Sequence, residues 1–133
     1  MTDRFETLVL DSQGLSTLVS QDRRAMARLQ VFQGMGADVV VCANTIVEVM
    51  HARVNMARLN WALSRVKIEA VTEDVARDAA NLLKRTGLHG HKYAIDATVA
   101  ALALRQPGPV AMLASDADEM LRLCDGRVRL IAV

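Results

Sequence analysis

The fold class predicted by this sequence is α/β: a three-layer α/β/α sandwich on a mostly parallel central sheet of four to five strands. Three observations predict it. Short apolar runs of strand length recur along the chain, longer helical patterns separate them, and the only two prolines fall together in the turn "QPGP" at 106–109. Strands separated by helices join in parallel, with helices covering both faces of the sheet. The 133 residues are 52% hydrophobic and 23% charged, which suits one globular domain, 1–133, with a core of its own.

The elements follow in order. "TLVLD" (7–11) reads as a buried strand, and "SQGLSTLVS" (12–20) and "DRRAMARLQVFQGM" (22–35) read as helices. "ADVVVC" (37–42) is the second strand, followed by helical patterns over 45–54 and 56–66. "KIEAVT" (67–72) is a third, less regular strand. The helix at 72–87 opens on Thr72, carries Glu73 and Asp74 in its first turn and Lys84 and Arg85 in its last, and closes on Gly87. An apolar helix covers "YAIDATVAALAL" (93–104), "PVAMLAS" (109–115) is a fourth strand, "DADEMLRL" a helix, and "RVRLIAV" (127–133) a fifth strand candidate. The order is βααβααβααβαβ.

Composition excludes several classes. A net charge of +1 rules out a strongly basic coat, and 3% aromatics argue against a base-stacking platform. Cys42 and Cys124 have no metal-type spacing and read as reduced thiols of a cytoplasmic protein. The start, "MTDRFETLVLDS", lacks the pattern of a signal peptide, and no apolar run reaches the ~20 residues of a membrane helix.

Four acids stand out. In a parallel sheet ligands bind outside the carboxyl ends of the strands. Asp11 ends the first strand and Asp116 follows the fourth. Each has a plain alternative: Asp11 opens a helix, and Asp116 with Glu119 fits a cap. Glu48 lies between Val47 and Val49, where Thr45 at i−3 suggests a capping box. Asp96 has Lys92 at i−4, yet that order is the weaker one and the helix is apolar nearly all round. A buried carboxylate stays ionised only beside a cation. Several carboxylates together suit Mg²⁺ or Mn²⁺, and without an ion they raise one another's pKa.

These motifs, "LDSQGL", "NTIVEVMH", "YAIDATVAALAL" and "LASDADEML", resemble in order and spacing those of PIN-domain ribonucleases, and within them VapC toxins of type II toxin–antitoxin pairs. The resemblance spans essentially the whole chain. It implies a PIN-like fold and a metal-dependent endoribonuclease, with Asp11, Glu48, Asp96 and Asp116 as the catalytic acids. Asp11, Asp96 and Asp116 would hold Mg²⁺ or Mn²⁺. Glu48 would either join them or orient the attacking water, and Asp118 matches a further acid of many members. Ser12 and Ser115 match supporting positions. Ala114 departs from the threonine common there. Implied partners are an RNA substrate, a cognate antitoxin and a second copy of the chain in a homodimer, with no membrane.

Other patterns are weaker. Glu48-x-x-His51 occurs once, whereas a di-iron bundle needs two such motifs on four helices. His89 and His91 lack the further ligands of a zinc site. With Lys92 they read as a solvated turn or as phosphate contacts. The arginines at 23, 24, 28, 53, 58 and 65 read as solvated faces or as RNA contacts beside the acids. Trp61 reads as core or as a partner anchor. A phospho-acceptor receiver domain would require paired acids close to the first strand, an acceptor Asp ending a middle strand and a Lys ending a late one, and the second strand here ends "VVVCAN" with no acid. A non-catalytic interaction module on a PIN-like fold is the alternative function.

Overall fold

The computed structural model describes residues 4–115 and 117–133. β1 (Thr7–Leu10) is followed by α1 (Ser12–Val19) and α2 (Arg23–Gly34), and β2 (Asp38–Cys42) by α3 (Ala43–Glu48) and α4 (Met56–Ser64). β3 (Lys67–Glu69) leads into α5 (Glu73–Thr86) and α6 (Gly90–Leu104), β4 (Val110–Ala114) into α7 (Ala117–Cys124), and β5 (Arg129–Ala132) comes last. This is the order the sequence predicts. The strands form one parallel sheet, β3-β2-β1-β4-β5.

β1 sits at the centre because it is apolar on both faces, as a strand covered by helices on both sides must be. Leu8 and Leu10 point to one face and pack with α1, α2 and α4, through Leu15, Leu18, Leu29, Phe32 and Leu59. Val9 points to the other and packs with residues of α5, α6 and α7, including Val75, Ala100 and Leu123. Full burial of each such aliphatic side chain stabilises by about 1.5–3 kcal/mol. Trp61 is partly buried against the first cluster, with the Arg65 guanidinium 5.4 Å from its ring centre.

α5 is built as its sequence predicts. The Thr72 hydroxyl accepts from Val75 N at 3.2 Å, and Gly87 closes the helix at φ 72°, a conformation that favours glycine.

α3 departs from expectation. It covers Ala43–Glu48 rather than 45–54. It starts directly off β2 with Cys42 as its N-cap, so Thr45 lies inside the helix and the Thr45–Glu48 capping box does not form. The chain then turns: Val54 N donates to His51 O, and Arg53 N donates to His51 Nδ1. The helical pattern misled because Val47, 71% exposed, and Met50, 44% exposed, are apolar without being buried.

The sheet grows outward from β1 in both directions, with β2 and β3 on one side and β4 and β5 on the other. The switch in direction falls between β1 and β4, where Leu10 pairs with Leu113. In an open parallel sheet the crevice for ligands lies there, beyond the carboxyl ends. α1 rises from this point in unusually close contact with the strands. A Cβ on Gly14 would stand 3.1 Å from both Leu113 Cβ and Leu113 O, and 3.4 Å from Leu10 Cβ. Glycine is what allows that approach.

Candidate active site

Asp11 bridges the switch point. Its backbone N donates to Leu113 O at 3.1 Å, which carries the β1–β4 ladder one residue further. Its side chain then does two things. Oδ1 accepts from Gly14 N at 2.8 Å and caps α1. Oδ2 accepts from Ser115 N at 3.2 Å, the first residue after β4. The helix-cap reading of Asp11 is therefore correct, and it places the carboxylate in the crevice. A carboxylate has about four acceptor positions, so capacity remains beyond its backbone donors.

The electrostatics are unfavourable for a lone anion. Asp11 is 6% exposed. Burial pushes its carboxyl above the ordinary 3.8, against the backbone N–H groups of Gly14, Ser115 and Gln13 that pull it down, and the Glu48 charge raises it further. No cationic side chain figures among the groups that shift it.

Glu48 reaches this place from the end of α3. Its Oε1 accepts from Ser12 Oγ at 3.1 Å, which ties α3 to the first residue of α1. Glu48 is exposed, so it faces the open side of the crevice while Asp11 forms its floor. Ser115 contributes its backbone N–H to Asp11.

Asp96 comes from α6. That helix runs antiparallel to the strands, because the turn after Leu104 feeds the start of β4, so its first half lies toward the carboxyl rim. It packs on α3, β2 and β4. Asp96 is half-buried, one turn after a break in the helix at Tyr93 (φ −111°, ψ 16°). The Lys92 ammonium lies 5.2 Å from the centre of the Tyr93 ring.

Asp116 lies outside the described residues. Asp118 is exposed at the start of α7 and lines a surface depression with Phe5, Pro109 and Val110. Sequence reasoning passed over the Thr45 hydroxyl, which is fully buried and has no hydrogen-bond partner among the described residues, one turn before Glu48. Its only signal was the Thr45–Glu48 spacing, which suggested a cap.

An all-oxygen donor set of Asp11, Glu48 and Ser12 suits a hard divalent cation. A cation there would also offset the Asp11–Glu48 repulsion by attracting both carboxylates. Among the described residues no three acidic, histidine or cysteine side chains converge on one point. The residues present fit such an ion in chemistry, with Asp11 as the buried anchor.

A parallel sheet with a buried carboxylate at its switch point and a second acid over it defines a class of α/β proteins with an acidic crevice. The chain belongs to the PIN domain family, whose profile matches residues 8–124. No curated protein matches the sequence. Among solved structures, the fold is similar to that of VapBC2 from Rickettsia felis bound to a DNA fragment from their promoter, with a TM-score of 0.68. The identity is 12%, over 96% of this chain and 98% of that one, so the likeness is one of fold. No helix among the described residues is long and apolar enough to cross a membrane.

Proposed function

We propose that this chain is a divalent-metal-dependent endoribonuclease, the VapC-type toxin of a toxin–antitoxin pair, acting at Asp11, Glu48, Asp96 and Asp116. PIN domains as a class are nucleases, which supports the coarser part of this reading. The observation that carries the rest is Asp11: a buried carboxylate held in the crevice by backbone donors, its pKa raised by burial and by Glu48, with no cationic side chain among the described residues shifting it.

Asp11, Asp96 and Asp116 would hold Mg²⁺ or Mn²⁺, with Asp118 as a further candidate. When bound, such an ion supplies an activated water and neutralises charge developing on the phosphate. Asp11 anchors the site, because both its oxygens are oriented by backbone donors and its position is fixed by the sheet. Glu48, on the open side and oriented by Ser12, is placed either to join the ligands or to take a hydrogen bond from the attacking water. Neither role requires a His or Lys nucleophile.

The partners follow from the same chemistry. An antitoxin would inhibit by placing a basic side chain in the acidic crevice, where charge-assisted bonds to the carboxylates would compete with the ion. A homodimer in the cytoplasm completes the proposal. The test is incubation of the pure protein with total RNA in Mn²⁺ and in EDTA. Fragmentation in Mn²⁺ alone is the expected result. Intact RNA in both, from folded protein, would leave the non-catalytic interaction module as the better reading.

A further inference from the structure

We infer that the cavity between α1 and the start of α4 is a subsite for one RNA backbone phosphate adjoining the acidic crevice, held by Arg53 and Arg58. This rests on the nuclease reading above and adds to it a place where the substrate is gripped.

The cavity has a volume of about 220 Å³. Val49 and Leu59 contribute to its apolar lining, and His51, Arg53, Asn55 and Arg58 supply its polar and charged groups. Among the described residues no carboxylate lines it, although the chain has 15 acids to 16 basic residues. Charge is therefore separated locally: acids at the strand ends, cations beside them.

The hydrogen bonds sharpen this. Asn55 Oδ1 is used to cap α4, accepting from Arg58 N at 3.0 Å, which leaves its NH₂ to donate. His51 Nδ1 accepts from Arg53 N at 3.1 Å, so the neutral ring carries its proton on Nε2, another donor. Neither guanidinium has an ion pair among the described residues. Apart from the Ser16 and Ser20 hydroxyls, which can donate or accept, the uncommitted polar side chains are donors, and the first turn of α4 adds the positive end of a helix dipole. A phosphate offers acceptors alone, and arginine forks match it in geometry.

Position and size agree. Ser16 lines the cavity, one helical turn or about 6 Å along α1 from Ser12. Ser12 in turn holds Glu48, and Val49, the next residue, also lines the cavity. The volume lies below the ~300–1,000 Å³ usual for a free small ligand, which suits one unit of a longer chain. A bare acidic crevice repels a polyanion, and a cationic subsite one turn away offsets that repulsion.

The test uses the full chain in EDTA, so that binding is read without cleavage, with a fluorescent single-stranded RNA titrated at several salt concentrations. Arg53→Ala with Arg58→Ala should weaken binding about tenfold or more. It should also reduce the slope of log affinity against log salt by about 0.7, the value for one phosphate on a single strand. The matching lysine pair should keep the slope. Arg77→Ala with Lys84→Ala removes equal charge from α5 and should leave the slope unchanged. Melting curves verify folding, which the exposed Arg53 and Arg58 side chains should not disturb. Unchanged affinity and slope in the alanine pair would overturn the subsite. So would loss of poly-glutamate binding with RNA binding intact, which would make the cavity an acidic-peptide site. If wild type still cleaves RNA in Mn²⁺, those failures concern the subsite alone. Wild type that neither binds nor cleaves RNA would remove the nuclease reading and the subsite with it.

Discussion

Gly14→Ala tests whether the crevice depends on the close approach of α1 to the sheet. In an open helix this change stabilises, by about 1 kcal/mol from helix propensity alone. Here the added methyl meets Leu113 Cβ and Leu113 O at 3.1 Å and Leu10 Cβ at 3.4 Å. None of these is the end of a flexible side chain, and Leu113 O already accepts from Asp11 N. Relief requires α1 to move away from the sheet, at a cost of about 1–3 kcal/mol for overpacking. Set against the propensity gain, the variant should lose up to about 2 kcal/mol. The assay is urea unfolding followed by circular dichroism, with Gly34→Ala as reference. Nothing lies within 4 Å of a Cβ at Gly34, so that variant should gain about 0.4–1 kcal/mol. Because Gly14 N also binds Asp11 Oδ1, Gly14→Ala should weaken Mn²⁺ binding as well. A Gly14→Ala protein as stabilised as Gly34→Ala would refute the close-approach argument.

Three further outcomes follow from the site's electrostatics and burial. The Asp11 pKa is raised in the fold, so this group favours folding below its unfolded value of 3.8 and that advantage is lost as pH rises through the folded pKa. Glu48→Gln keeps an acceptor for Ser12 and removes repulsion, so it should stabilise the protein in EDTA at neutral pH, by under about 1 kcal/mol for an exposed group, with the difference gone well below pH 3.8; an equal gain at all pH values would contradict this. Asp96→Asn should likewise raise the melting temperature in EDTA and blunt the gain from Mn²⁺, which for wild type is about 2.7 kcal/mol at a hundred times Kd; parallel shifts with and without metal would separate Asp96 from any metal site. Burial pushes the Cys124 thiol up to about 11, so it should resist thiol reagents in the native protein and react only on unfolding; fast native labelling of Cys124 would show that this core opens.

The fold was legible because its signals are local and redundant. β1 and β4 are continuous apolar runs, and α5 carries a cap, a charge gradient and a closing glycine, each pointing the same way. α3 was misjudged where apolar side chains lie on the surface, since periodicity reports hydrophobicity and not what covers it. At the site, the placement of Asp11 was readable from strand topology. Its bond to Ser115 N was not, because a backbone donor 104 residues away leaves no mark on residue identity. Arg53 and Arg58 were readable as RNA contacts, but not the cavity they share, because Ser16, His51 and Arg58 come from separate stretches that meet only in the fold.

On the proposed function, acids at the strand ends cleave RNA with the help of a divalent ion. This is tested most directly by RNA cleavage in Mn²⁺ by wild type, Asp96→Asn and Asp116→Asn, each verified as folded by its melting curve. Loss of groups that merely support a metal ligand costs 10–100-fold, so neutralising a ligand should lower the rate by more than about 100-fold. Cleavage at the wild-type rate by folded Asp96→Asn and Asp116→Asn, free of contaminating nuclease, would contradict the account.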